Sequence, residues 1–177
     1  MITSYMKVLA FFISAASSWI LFGREFIKWS WPHHHHHHHH DHHDIDGCCP
    51  QGWTQVDDHC YIFQSEVRTF ADAESVCNTL GGNLASIHSY LENLAVAGLI
   101  KEGGADYAWI GLHDAIKKGD YIWTDGTNVE FLNFAPAEPN GTGACVELYV
   151  ADFRFFDEDC NIFHPYVCTR ETYCGHH

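Results

Sequence analysis

Two stretches of the chain carry apolar residues at helical spacing. The first begins at Thr69 with a capping pattern and ends at Gly81. Its predicted buried face is Phe70, Ala73, Cys77 and Leu80. The second begins at Ser89, again with a capping pattern, and ends at Gly103. Its predicted buried face is Leu91, Leu94, Ala95 and Leu99. The pattern therefore predicts two helices over residues 69–103.

Short apolar runs before and after the helices are typical of strands. One run follows a turn at residues 50–53, and the others lie at residues 60–63, 107–112, 121–123, 145–150, 153–156 and 165–169. Residues 124–144 form a long stretch rich in Asn, Gly and Pro, and long loops in compact domains usually serve function. The fold class predicted is α+β, with two helices, antiparallel strands and a long loop region.

The N-terminal part of the chain has a different character. Lys7 precedes an apolar run over residues 8–22, which is shorter than the roughly 20 residues of a membrane span. Residues 1–23 are predicted to be a signal peptide, with an uncleaved anchor as the alternative. A cleaved signal predicts a secreted, extracellular protein with no membrane span after cleavage.

Residues 24–47 are predicted to be a disordered linker that carries a histidine tract. Ten histidines lie between His33 and His43, and only Asp41 interrupts them. Such a run binds Zn²⁺ or other transition metals without fixed geometry. A purification tag is the competing interpretation, with Asp41 and the internal position against it.

Charge and cysteine content narrow the class of protein. The formal net charge is −14, which excludes nucleic acid as a favoured partner because phosphate binding needs a basic face. The eight cysteines, an even number behind a secretory leader, predict disulfides, but they allow 105 pairings. They are Cys48, Cys49, Cys60, Cys77, Cys145, Cys160, Cys168 and Cys174.

Glu138 and Asn140 stand on either side of Pro139 in the long loop. Both side chains offer oxygen, which is the ligand atom that calcium takes. Pro139 can hold a tight turn through a cis peptide bond. A rigid loop of this kind can bind a cation and leave part of it open to a ligand.

Several motifs together resemble the long form of the C-type lectin-like domain family. They are Cys-Pro-x-Gly-Trp at 49–53, Cys-Tyr at 60–61, Trp-Ile-Gly-Leu at 109–112 and Glu-Pro-Asn at 138–140. The resemblance covers about residues 49–174, so the domain is assigned to residues 48–175. It implies three disulfides, which are Cys49–Cys60, Cys77–Cys168 and Cys145–Cys160. For Cys48 and Cys174, a fourth internal bridge is the first expectation and a homodimer through one of them is the second.

The resemblance also implies a binding site. Glu138, Asn140 and Asp157 match calcium ligands that bind glycans, with a mannose-type preference. The chain departs from that pattern at Gly143 and Phe156, where ligand side chains are missing, so calcium is expected to bind weakly. Glu147, Asp152, Glu158 and Asp159 are candidate substitutes. Asn140 also begins an Asn-Gly-Thr glycosylation sequon, and we expect it to be free.

Two functions are therefore weighed. The first is a secreted lectin, calcium-dependent through the three retained ligands. The second is a lectin-like domain that has lost calcium and binds a protein, another surface such as ice, or sugar without metal. An enzyme is not expected, because His59, His88, His113 and His164 stand singly, with no catalytic spacing.

Overall fold

The computed structural model describes residues 48–174. The predicted signal peptide over 1–23 and the histidine linker over 24–47 lie outside the described residues. Within them, the strands are β1 (Thr54–Val56), β2 (His59–Arg68), β3 (Asn83–Leu84), β4 (Tyr107–His113), β5 (Ile122–Trp123), β6 (Cys145–Tyr149), β7 (Arg154–Glu158) and β8 (His164–Glu171). The helices are α1 (Phe70–Thr79) and α2 (Tyr90–Glu102). This α+β architecture confirms the predicted fold class.

The strands form one sheet in the order β1-β2-β8-β4-β6-β7, with β3 beside β8 and β5 beside β4. Every pairing is antiparallel except that of β4 with β8, which is parallel. The long stretch between β5 and β6 is a loop, as the sequence predicts, and Phe134 in it forms an isolated parallel bridge with Phe155 of β7. This loop and β7 carry the candidate site.

Helix α1 begins where the capping pattern predicts. Thr69 Oγ1 accepts a hydrogen bond from the backbone N–H of Asp72 at 3.3 Å. Phe70, Ala73 and Cys77 are buried, as predicted. Leu80 is the C-cap and is 38% exposed, so its predicted burial is wrong.

Helix α2 begins at Ser89 as predicted, but it buries a different face. Leu91 and Leu94 are 59% and 36% exposed. The buried residues are Glu92, Asn93, Val96, Ala97 and Ile100. Asn93 enters the core because its Nδ2 donates to the carbonyl of Phe153 at 2.9 Å. A polar side chain with a backbone partner is tolerated inside, so Leu91 and Leu94 are left in solvent. Ala95 and Leu99 are partly buried, and Leu99 packs against the core.

The core lies on both faces of the sheet. The larger cluster packs α2 against the central strands, with Trp123, Phe155, Ile100, Ile110 and Leu148 among its fully buried members. The smaller cluster lies under α1 and contains Phe70, Ala73, Cys77, Leu84, Trp109, Cys145, Tyr166 and Cys168. Within residues 48–174 no helix combines the length and apolar character needed to cross a bilayer.

Four disulfides connect the domain: Cys48–Cys174, Cys49–Cys60, Cys77–Cys168 and Cys145–Cys160. The three pairings implied by the resemblance are confirmed, and so is the fourth internal bridge. Because Cys48 and Cys174 pair within one chain, neither is available for the alternative homodimer bridge. The two ends of the domain also meet through the backbone, since Tyr173 N–H donates to the Cys48 carbonyl at 3.1 Å.

Candidate functional site

The structure brings the three predicted site residues together at one end of the sheet. Glu138 and Asn140 come from the long loop, and Asp157 comes from β7. The Glu138–Pro139 peptide bond is cis, as the sequence suggests. The backbone N–H of Asn140 lies between the two carboxylates, 3.2 Å from Glu138 Oε2 and 2.7 Å from Asp157 Oδ1.

Asp157 is buried, and its carboxylate is occupied by backbone amides. Oδ1 accepts from the N–H of Asn140 at 2.7 Å. Oδ2 accepts from the N–H of Gly141 at 2.9 Å and from that of Gly143 at 3.2 Å. Its carbonyl also accepts from Thr142 Oγ1 at 2.6 Å. Asp157 therefore clamps residues 140–143 onto the end of β7.

The exposed tip of the loop is held by Glu138 and Asn140 themselves. Asn140 Nδ2 donates to Glu138 Oε1 at 2.8 Å, and Asn140 Oδ1 accepts from the N–H of Thr142 at 2.8 Å. The tip thus presents a carboxylate acceptor beside an amide donor. The side chain of Asn140 is exposed, so the glycosylation sequon is accessible. That Asn140 carries no glycan stays a prediction.

The pKa values of the two carboxyl groups of the site are shifted in opposite directions. Burial and the neighbouring Asp157 raise the pKa of Glu138. Burial also opposes the charge on Asp157, but bonds from Glu138 and from the amides of Gly143, Asn140 and Gly141 outweigh it and lower the pKa of Asp157. Asp157 is therefore the stronger acid of the two.

Gly143 stands where the resemblance places a third ligand side chain. A β-carbon built there would lie 1.7 Å from the carbonyl oxygen of Glu158 and 2.3 Å from the amide nitrogen of Asp159. Both neighbours are backbone atoms, which cannot move aside cheaply. This backbone therefore admits glycine alone at position 143.

Phe155 and Phe156 stand where the resemblance places Trp and Asn. Phe155 is fully buried and makes edge-to-face contacts with Phe131 and Phe134. Phe156 contacts the ring of Tyr149 at a centroid distance of 5.6 Å. Strand alternation directs Phe156 away from the face that carries Asp157, and it supplies no oxygen.

The four candidate substitutes do not join the site, so this expectation is wrong. Glu147 lies 3.2 Å from His164 Nε2. Glu158 and Asp152 accept from the backbone of the residues that follow them, at 2.8 and 3.2 Å. Asp159 caps the next turn through Asn161. Each carboxylate therefore has its own local partner.

Calcium takes six to eight oxygens, and the residues present do not fit such an ion. Gly143 and Phe156 supply no ligand, and both oxygens of Asp157 accept backbone amides. Residues 48–174 also contain no group of three or more His, Cys, Asp or Glu side chains placed to hold a metal. The loop instead uses the Asp157 carboxylate as its centre.

Sequence reasoning missed the residues that support the loop from outside. Lys118 Nζ donates to the carbonyl of Gly143 at 2.7 Å and lies 3.5 Å from the buried carboxylate of Asp114. Asp114 Oδ2 also accepts from the N–H of Gly119 at 2.7 Å. The cluster Asp-x-x-x-Lys-Gly was readable in the sequence, but its contact with position 143 depends on the tertiary fold.

The fold and the loop define a lectin-type recognition domain. The sequence model of the Lectin C-type domain matches residues 66–170. The chain is 36% identical over 131 residues to lactose-binding lectin l-2 of Anguilla japonica, covering 70% of this chain and 78% of that protein. It is 34% identical over 123 residues to ladderlectin of Oncorhynchus mykiss, covering 66% of this chain and 65% of ladderlectin. The chain belongs to the C-type lectin domain family. The matched relatives are lectins and not enzymes, which supports the expectation that the chain is not an enzyme.

Solved structures agree with this assignment. A calcium-independent type II antifreeze protein superimposes with a TM-score of 0.66 at 31% identity, covering 70% of this chain and 95% of the other. Human lithostathine superimposes with a TM-score of 0.66 at 33% identity, covering 70% and 91%. Herring type II antifreeze protein gives 0.65 at 28% identity, covering 70% and 98%.

Proposed function

We propose that the chain is a secreted glycan-binding lectin whose site is the tip of the loop at residues 138–143 and whose loop needs no calcium ion. One observation supports the proposal that the loop needs no calcium ion. Asp157 holds the amides of residues 140, 141 and 143 with both carboxylate oxygens. The geometry thus favours the loss of calcium that the second functional hypothesis assumes. The lectin relatives support glycans as the ligand.

The tip has the chemistry to bind a vicinal diol. Each sugar hydroxyl both donates and accepts a hydrogen bond. Glu138 offers a carboxylate acceptor, and Asn140 Nδ2 has a second N–H beyond the one that it gives to Glu138. One hydroxyl can donate to Glu138 while its neighbour accepts from Asn140. The Glu-Pro-Asn order supports a mannose-type preference, although one relative is named for binding lactose.

The extracellular location rests on the disulfides. Four bridges within residues 48–174 are typical of proteins that fold in an oxidising compartment. A secreted protein is therefore proposed, in keeping with the apolar N-terminal run of the sequence.

The test is chromatography of the full chain on mannose-agarose and lactose-agarose, in calcium and in EDTA. A variant without residues 33–43 keeps the histidine tract out of the result. Retention on mannose-agarose in both buffers, lost in Glu138→Ala and kept in Glu102→Ala, is the expected outcome. Glu102 is an exposed carboxylate at the end of α2 and serves as the matched control. Retention in calcium and release by EDTA would contradict the proposal that the loop needs no calcium and would support the calcium-dependent hypothesis.

Ice is the second candidate ligand, because type II antifreeze proteins share this fold at 28–31% identity. Thermal hysteresis of the same samples tests it. Hysteresis without retention on either sugar would replace glycan by ice as the ligand. Absence of both would direct the search to protein partners.

A further inference from the structure

A group of polar side chains away from the loop tip remains unexplained by glycan binding. His59 and His88 stack with ring centroids 6.1 Å apart and planes 30° apart. They border an open cavity of about 480 Å³, lined by His59, His88, Gly126, Thr127, Asn128 and Glu130. His88 precedes α2, and the other wall is the first part of the long loop. The cavity therefore separates two segments that side chains join at only a few points.

Hydrogen bonding fixes the proton on one nitrogen of His88. Thr127 Oγ1 donates its only proton to Asp125 Oδ1 at 2.6 Å, because an ionised carboxylate can only accept. His88 Nε2 lies 3.2 Å from the same hydroxyl oxygen. The hydroxyl can only accept from the ring, so His88 Nε2 carries a hydrogen.

The other nitrogen of His88 then determines whether the contact with the loop is attractive. His88 Nδ1 is buried and lies 3.3 Å from Glu130 Oε1. In the neutral ring, Nδ1 would direct a lone pair at a carboxylate oxygen, which is repulsive. With a second proton, the same contact becomes a charge-assisted hydrogen bond.

We propose that His88 is a pH-dependent latch that holds residues 125–130 of the long loop to the start of α2 when both ring nitrogens carry a proton. Histidine is the side chain whose charge ordinarily changes between pH 5 and 8. The latch is closed while Nδ1 carries its proton, and loss of that proton releases Glu130. It is independent of the proposed glycan site at residues 138–143.

The surroundings of His88 are consistent with a charged ring. From α2, the Glu92 carboxylate accepts from the backbone N–H of His88 and lies 3.9 Å from His59 Nδ1. From the loop come Glu130 and, through Thr127, Asp125. From β5, the Trp123 ring lies 5.9 Å away by centroids. The stacked His59 and the partial burial of the ring oppose a second positive charge here, and His59 has Glu92 beside it. From β8, Arg170 shares a second cavity with His59, Asp125 and Thr127.

A double-mutant cycle tests the latch, using the full chain, His88→Gln, Glu130→Gln and the double variant. Thermal unfolding is measured at pH 5.5 and pH 8. The expected result is a coupling of roughly 2–4 °C in Tm at pH 5.5 that disappears at pH 8. Glu130 is 57% exposed, so its replacement should leave the fold intact. Glu102→Gln, an exposed carboxylate outside the cluster, should show no coupling to His88 at either pH.

Hydrogen exchange gives the second measurement. After correction for intrinsic rates, amides of residues 126–130 should be better protected at pH 5.5 than at pH 8, and Glu130→Gln should remove the difference. A coupling that is zero at both pH values, or equal at both, overturns the latch. So does loop protection that does not change with pH in the unmodified chain.

Discussion

The backbone of Gly143 packs against the carbonyl of Glu158 so closely that a β-carbon at position 143 would lie 1.7 Å from that oxygen. This contact joins the end of the long loop to the end of β7, next to Asp157. The residue that removes a calcium ligand from the motif is also the residue that lets the loop close on the strand. Loss of the ligand and closure of the loop are one structural change.

Gly143→Ala should therefore destabilise the domain, because the clash is with backbone atoms rather than with a movable side chain. We expect a loss of about 2 kcal/mol or more in the free energy of unfolding, measured by chemical denaturation. Gly98→Ala is the control, since nothing lies within 4 Å of its added β-carbon on α2. It should be neutral or stabilise by up to about 1 kcal/mol. Equal effects at the two positions would contradict the closure.

Gly143→Glu tests the metal directly, because it restores the missing carboxylate of the family pattern. We expect no calcium-dependent rise in Tm, since the side chain cannot be accommodated beside Glu158. The measurement is thermal unfolding in calcium and in EDTA for this variant and the unmodified chain. A calcium-dependent stabilisation of either protein would show that the loop can open and accept the ion.

Asp157→Asn should loosen the loop, because an amide carries one oxygen where the carboxylate accepts three N–H groups. A cost of about 1–3 kcal/mol is expected, with faster hydrogen exchange at residues 140, 141 and 143. The matched control is Asp152→Asn, an exposed residue that accepts one backbone N–H at 3.2 Å. Because its pKa is lowered, Asp157 stabilises the fold above its ordinary pKa of 3.8, and this is lost as pH falls through the folded value. The variant should therefore differ least from the unmodified chain in strong acid.

Much of the fold was predictable because local signals agree with the tertiary structure. Thr69 and Ser89 cap the two helices where the sequence places them. The convergence of Glu138, Asn140 and Asp157 was also predictable, from the resemblance. The role of Asp157 was not, because its hydrogen-bond partners are backbone amides that no sequence pattern identifies. The cluster around His88 was hidden for a similar reason, since Glu130 lies 42 positions further along the chain.

Helix α2 shows why periodicity alone can choose the wrong face. Ile100 is fully buried and Leu91 is 59% exposed, although both are apolar and lie in the same helix. Ile100→Ala should cost about 2–5 kcal/mol of unfolding free energy, whereas Leu91→Ala should change it by about 0.5 kcal/mol or less. Chemical denaturation of the two variants measures the difference. Comparable losses of unfolding free energy in the two variants would contradict this structure and place Leu91 in the core.

Glu147 makes the free energy of unfolding depend on pH, and this contribution can be separated from those of the other titrating groups. Burial, with a smaller effect of Glu158, raises the pKa of Glu147 to about 7. Its nearest basic group is His164 Nε2 at 3.2 Å, and burial lowers the pKa of that ring. Between its ordinary pKa of 4.5 and about 7, Glu147 binds more protons in the folded than in the unfolded chain. The free energy of unfolding therefore falls as pH rises through this window, and it stays lower above it.

Glu147→Gln removes this penalty while keeping the size of the side chain. The difference in unfolding free energy, variant minus unmodified chain, should rise by about 2 kcal/mol from pH 4.5 to pH 7 and then level off. The opposite contribution of His164 is present in both proteins and largely cancels in the difference. Glu102→Gln, which removes an exposed carboxylate, should give a difference that is flat over the same range. If the Glu147→Gln difference falls with pH instead, the ionised carboxylate stabilises the fold through His164, and the pair is a buried ion pair rather than a buried acid beside a neutral imidazole.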